Sequence, residues 1–203
     1  MNSNTVYKNE KGKVVTEQQA AHLNTYSKLI YINEILKKEM RYRAAEPWGA
    51  IYYLDSREDA LSILNQLDSN FKWSFLITEV VNGYKVHKSK GYDKNLNLKS
   101  KYYKKVLDTN DNLIATVMFD TQTNEPLEAL KIFRFSEGEE ITFDFNDNGS
   151  IEEINISTMI LSNEMSYNSL DSFLADINEF IGDFISQEQL DYFTNVEPIV
   201  PNF

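Results

Sequence analysis

The sequence predicts an α+β fold: an antiparallel β-meander of about six or seven strands, with N-terminal helices and a packed C-terminal amphipathic helix. Three observations lead there. Apolar residues between 17 and 41 recur near helical spacing, the period changes to two from Phe71, and it returns to 3.6 after residue 158. With 203 residues, 42% apolar and 13% aromatic, the chain can bury a sizeable core. The expected organisation is one domain over 1–203: an N-terminal helical part (1–70), a β-meander (71–158) and an acidic helical part (159–203).

Thr16 and Gln19 have capping-box spacing, in which a hydroxyl and an amide satisfy each other's orphan backbone donors. Behind them Leu23, Tyr26, Leu29, Ile30, Ile32, Ile35, Leu36 and Met40 predict one helix over 17–41. Lys37, Lys38 and Arg41 then fall near its C-terminus, where the dipole favours cations. Pro47 ends the connection, residues 49–54 suit a short strand, and residues 56–59 open a second helix through Leu61, Leu64 and Leu67.

Phe71, Trp73, Phe75 and Ile77 then share one face of a strand. Asn82-Gly83 is a hairpin signal, because a type I′ turn needs positive φ at both central residues. Further strands are predicted over 99–107, 113–120, 127–135, 140–146 and 151–158, separated by short polar breaks. Near the end, Leu170, Phe173, Leu174, Ile177, Phe180, Ile181, Phe184 and Ile185 form a wide helical stripe. Residues 186–189 open a last short helix through Leu190, Tyr192 and Phe193, and Pro198 and Pro201 make the tail extended.

The polar turns echo one another. Asn9-Glu10-Lys11-Gly12-Lys13-Val14, Asn110-Asp111-Asn112-Leu113-Ile114 and Asn146-Asp147-Asn148-Gly149-Ser150-Ile151 read as a degenerate hairpin repeat. The pattern resembles MORN-variant and YD-type β-repeat segments of bacterial surface and toxin–immunity loci, over about a third of the chain. Two of the three copies keep the glycine.

Charge is divided along the chain. Residues 1–105 carry 18 Lys and Arg against 11 Asp and Glu, and residues 106–203 carry 2 against 20. No basic residue follows Arg134. A net charge of −11 disfavours nucleic acid as a partner, because phosphate would be repelled by most of the surface. The segment 85–105 holds eight lysines and one acid, interleaved with tyrosines. That composition suits single-strand binding, a lysine-protected sheet edge, or internal pairing with the acidic half.

Catalytic and cofactor patterns are missing from the sequence. Cysteine is absent, the two histidines are 65 positions apart, and no glycines pair to cradle phosphate. The stretch from Asp144 follows an EF-hand loop through its glycine, Gly149, but Asn155 stands where the bidentate glutamate belongs, so a hairpin turn is expected instead of a metal site. No cofactor is expected. Residues 1–15 lack the apolar core of a signal peptide and no run suits a membrane span, which predicts a cytoplasmic, non-membrane protein.

The remaining candidate is the acidic C-terminal region, where Asp176, Glu179, Asp183, Glu188 and Asp191 would meet a basic protein partner, with exposed Tyr192 or Phe193 as anchors. In size, acidity and lack of catalytic motifs the chain is similar to immunity proteins that cap basic toxin nucleases. The resemblance implies a non-enzymatic binding protein that steers its partner electrostatically and occludes it. The alternatives are a structural or surface-associated β-repeat module and a carboxylate-based hydrolase.

Overall fold

A computed structural model describes residues 2–93, 95, 97–136, 139–157, 165–177 and 185–203. Among them the elements run β1 (Ser3–Asn9), β2 (Val14–Val15), α1 (Glu17–Ala21), β3 (Thr25–Ile32), β4 (Ile35–Arg43), β5 (Glu46–Tyr53), α2 (Ala60–Leu64), β6 (Trp73–Val81) and β7 (Tyr84–Tyr92). They continue with β8 (Leu98–Leu107), β9 (Leu113–Asp120), β10 (Pro126–Ser136), β11 (Glu139–Phe145), β12 (Ile151–Ser157), β13 (Met165–Tyr167), α3 (Leu170–Ile177) and α4 (Gln187–Thr194). The strands form one sheet in the order β13-β12-β11-β10-β9-β8-β7-β6-β5-β4-β3-β1-β2. The sheet is mixed, because β5 and β6 run parallel on either side of α2.

The expected α+β meander of six or seven strands with N-terminal helices is therefore corrected to a 13-stranded mixed sheet with four short helices among the described residues. The difference arises chiefly before residue 54. Helix persists only over Glu17–Ala21, behind the expected Thr16–Gln19 capping box, and the rest of 17–41 folds as the β3–β4 hairpin. Thr25, Tyr26, Ile30, Tyr31 and Ile32 lose side-chain freedom in a helix and suit a pleated strand, so local propensity overrides the apolar spacing. The turn between these strands is Asn33-Glu34, with φ of 49° and 69°, a two-residue loop without the glycine that would have marked it. β4 passes to β5 through Ala44-Ala45, with φ of 51° and 63°.

From β6 onward the period-two reading matches the structure. Asn82-Gly83 closes the β6–β7 hairpin with φ of 51° and 83°. Strands β8 to β12 fall within a residue or two of their predicted bounds, and Ser186–Gln189 forms the second capping box, opening α4. Of the predicted C-terminal stripe, residues 178–184 lie outside the described residues.

The echoing turns share one geometry. Asn9 Oδ1 accepts the backbone N–H groups of Lys11 and Lys13, and Asn146 Oδ1 accepts those of Asn148 and Ser150. Asp108 does the same for Asn110 and Asn112, and Asp93 for Asn95 and Asn97. Each first residue also donates its own N–H to the carbonyl four positions on. In the loops that begin at Asn9, Asp108 and Asn146 the penultimate residue is left-handed: Gly12 at φ 77°, Asp111 at 65° and Gly149 at 80°. This is the three-residue hairpin loop, a tight turn followed by a bulge.

The chain divides into two compact units, Met1–Thr78 with Lys88–Ser100, and Glu79–His87 with Lys101–Phe203. In the first, Ala50, Tyr52, Phe71, Trp73, Phe75 and Tyr92 are buried beneath Ile63, Leu64 and Leu67 of α2 and its exit. Tyr26 stacks on Tyr42 at 4.6 Å, and Tyr42 meets the edge of Phe71.

In the second unit, Val117, Phe119, Phe133, Ile141, Phe143 and Ile154 face α3 and α4. Phe143 packs edge-on against Phe173 of α3 at 5.6 Å and stacks on Phe193 of α4 at 6.0 Å. Lys131 points into this same layer and is fully buried. Its Nζ donates to the carbonyl oxygens of Tyr192 and Asn195, both at 2.7 Å, and of Pro198 at 2.8 Å. The ammonium's three N–H groups meet three acceptors at the C-terminal end of α4, where the helix dipole favours a cation. Burial pushes the Lys131 pKa down from 10.5 to about 7, against the opposing pull of Glu197.

Two stability outcomes follow from these elements. Ala45→Gly relieves a left-handed non-glycine residue and is expected to raise stability by about 1 kcal/mol, partly offset by the looser unfolded chain, read as a higher urea midpoint at unchanged slope. Lys131→Met strands three buried carbonyls and is expected to cost about 3 kcal/mol or more on the same assay. Because the folded pKa lies below the ordinary value, the unfolded chain binds more protons between about pH 7 and 10.5. Lys131's contribution to stability therefore rises with pH across that window, and the wild-type urea midpoint should gain more than that of Lys131→Met between about pH 7 and about pH 9.

Candidate functional site

The division of charge follows the structural division. The first unit carries 14 Lys and Arg against 10 Asp and Glu, and the second carries 6 against 21. Within the second unit, strand alternation sorts side chains to two faces. Val117, Ala129, Phe143 and Ile154 turn toward the helices, and Thr116, Met118, Glu128, Leu130, Asp144 and Glu153 alternate with them. Register brings the second set together. Met118 lies opposite Glu128, Leu130 lies between Thr116 and Asp144, and Asp144 lies opposite Glu153.

These residues, with Tyr103 and Glu152, line a concavity of about 660 Å³. Its floor is apolar at Met118 and Leu130, and carboxylates from β10, β11 and β12 surround it. Asp144 accepts no hydrogen bond among the described residues. Burial pushes its carboxyl above the ordinary range, and the charges of Glu153 and Glu152 push it further. Glu153 is moved the other way, chiefly by Ser166, whose hydroxyl donates to Oε1 at 2.6 Å, and then by Asn155. Thr116 Oγ1 is buried without a hydrogen-bond partner.

Other carboxylates, in both units, are supplied with donors, as Asp108 and Asp120 are by their own turns. Glu58 accepts from Lys37 Nζ at 3.0 Å, Tyr52 Oη at 3.0 Å and the Asp55 N–H at 2.7 Å. Glu39 accepts from Arg41 Nε at 2.7 Å and Tyr53 Oη at 3.3 Å. An apolar floor with under-supplied carboxylates around it suits an organic cation, whose alkyl part covers the floor while its charge meets the acids.

The residues singled out in the sequence are placed as follows. Glu188 and Asp191 are exposed on α4 and line a second depression, of about 530 Å³, with Tyr192 and Glu197. Gln187 Nε2 donates to Asp191 Oδ1 at 2.7 Å. Asp176 is exposed on α3, apart from that depression and beside the Tyr167 hydroxyl. Glu179 and Asp183 lie outside the described residues. The expectation of exposed aromatic anchors is corrected: Tyr192 and Phe193 are 3% and 5% exposed, and the Tyr192 hydroxyl donates to the Ile199 carbonyl at 2.8 Å. Both rings belong to the core, because α4 turns its apolar side onto β10 and β11.

The stretch from Asp144 forms the β11–β12 hairpin, whose loop oxygens Asn146 Oδ1 and Asn148 Oδ1 accept backbone N–H groups. Among the described residues no group of three or more His, Asp or Glu is arranged to hold a metal ion. His22 caps α1, and His87 lies on β7, where burial and then Lys85 lower its pKa. Lys85 itself pairs with Asp111 at 2.5 Å. No helix among the described residues is long and apolar enough to cross a membrane.

Sequence reasoning passed over Lys131 and Glu153, and read Asp144 only as the first place of an EF-hand-like loop. The signal for each was parity. Lys131 shares the alternation of Ala129 and Phe133, and Asp144 falls between Phe143 and Phe145, so one points into the core and the other away from it. No protein-family model, curated protein or solved structure matches this chain.

Proposed function

We propose that this chain is a non-enzymatic, acidic binding protein that captures a basic protein partner, as immunity proteins cap basic toxins. The observation that carries this reading is the excess of 21 acids over 6 basic residues in the second unit, set beside an Asp144 carboxylate that has no donor among the described residues. Such a surface accelerates encounter with a cationic protein and repels polyanions. Occlusion of the partner's positively charged site would then follow from contact with this unit. A second reading, a structural β-repeat module, is favoured by three hairpin loops of one geometry, at Asn9, Asp108 and Asn146.

The two readings separate in one experiment. Association with a basic protein encoded at the same locus is measured by stopped flow at low and high salt. The binding-protein reading expects the association rate to fall by about tenfold or more as salt rises, with little change in the dissociation rate. A salt-independent rate, or no association, rejects it.

A further inference from the structure

We propose that the concave sheet face of the acidic unit seats a Lys or Arg side chain from a basic protein segment, its charged head between Asp144 and Glu153 and its alkyl stem on Met118 and Leu130. This inference rests on the binding-protein reading and names the surface and the chemistry that reading would use.

Four observations converge on that face. Asp144 and Glu153 lie directly opposite each other on β11 and β12, and like charges so placed repel across a sheet. Glu153 is held ionised by Ser166 and Asn155, so the strain falls on Asp144, which has no donor among the described residues. A cation inserted between them removes the repulsion and supplies the missing hydrogen bonds. Met118 and Leu130 offer apolar surface beside the charge, which a compact inorganic ion would leave uncovered. Thr116 Oγ1 on the same lining has an unused acceptor and donor. The volume of about 660 Å³ also leaves room for the backbone that carries such a side chain.

The depression on α4 differs in its supply of hydrogen bonds. Asp191 is already supplied by Gln187, and the Tyr192 hydroxyl is committed to Ile199. Glu125 and Asp147, exposed on the β9–β10 and β11–β12 turns of the same unit and outside the concavity, provide a control of equal charge.

The test uses the full chain and a fluorescein-labelled oligolysine peptide at low salt. Asp144→Asn/Glu153→Gln is expected to weaken binding by about tenfold, and Glu125→Gln/Asp147→Asn, which removes the same charge, by less than about twofold. Equal weakening by the two pairs overturns the site and leaves the binding-protein reading standing. Absence of oligolysine binding by the wild-type chain overturns both. Removal of a repulsion should not lower the urea midpoint of the first pair. As a readout independent of any substitution, peptide titration of the wild-type protein should shift the backbone amide resonances of Thr116, Leu130 and Glu153. Shifts confined to α3 and α4 reject the site.

Discussion

Helix α4 ends without a basic residue in its last turn, and Lys131 on β10 supplies the missing charge. The position follows from a sequence that has no cation after Arg134. Carbonyls at the end of α4 cannot find an ammonium nearby in the chain, so one arrives from a strand 61 to 67 residues earlier. That ammonium also fixes the Pro198 carbonyl, and the tail beyond it is secured by Tyr192 to the Ile199 carbonyl and by Asn82 Nδ2 to the Pro201 carbonyl at 3.1 Å. Packing of Phe193 against Phe133 and Phe143 depends on α4 staying where Lys131 anchors it. Burial of this ammonium, which lowers its pKa to about 7, is offset because each of its donors meets a carbonyl.

The same scarcity of cations shapes the surface of the acidic unit. Arg134 is paired with Glu140 at 3.0 Å and Lys85 with Asp111, and Lys131 is spent inside. Twenty-one acids in that unit share six basic residues, so most of the negative charge has no local counterpart. Repulsion of this kind costs stability and is tolerated where it speeds an encounter. At Asp144 burial raises the carboxyl pKa first, and the charges of Glu153 and Glu152 add to it.

Legibility in the sequence followed the strength of the local code. From Trp73 to Ser157, alternating aromatics and polar turns specify each strand, and the structure keeps them closely, whereas β13 carries no such signal and is not predicted by the sequence. Before Tyr53 the code is ambiguous. Leu29, Ile32, Ile35 and Leu36 satisfy helical spacing, while the turns that cut the segment into strands use Asn33-Glu34 and Ala44-Ala45 instead of glycine. The site was legible only as charge. Acidity of the C-terminal half was plain, but which acids share a concavity depends on register across β9 to β12, and register is a property of pairing. The aromatic pair Tyr192-Phe193 read as surface because α4 is too short for its buried side to be resolved from spacing alone.

Every neighbouring pair in the strand order except β1 and β3 joins segments consecutive along the chain. Most pairings therefore need no distant stretch to have been made first, which keeps the entropy of loop closure small. A ribosome releasing this polypeptide would see each β-hairpin complete soon after its loop emerges, with the oldest part of the sheet serving as template for the next strand. Helix α4 behaves differently: its carbonyls, and that of Pro198 beyond it, meet Lys131 from 61 to 67 residues further along the chain, so its docking waits for strands that have already paired.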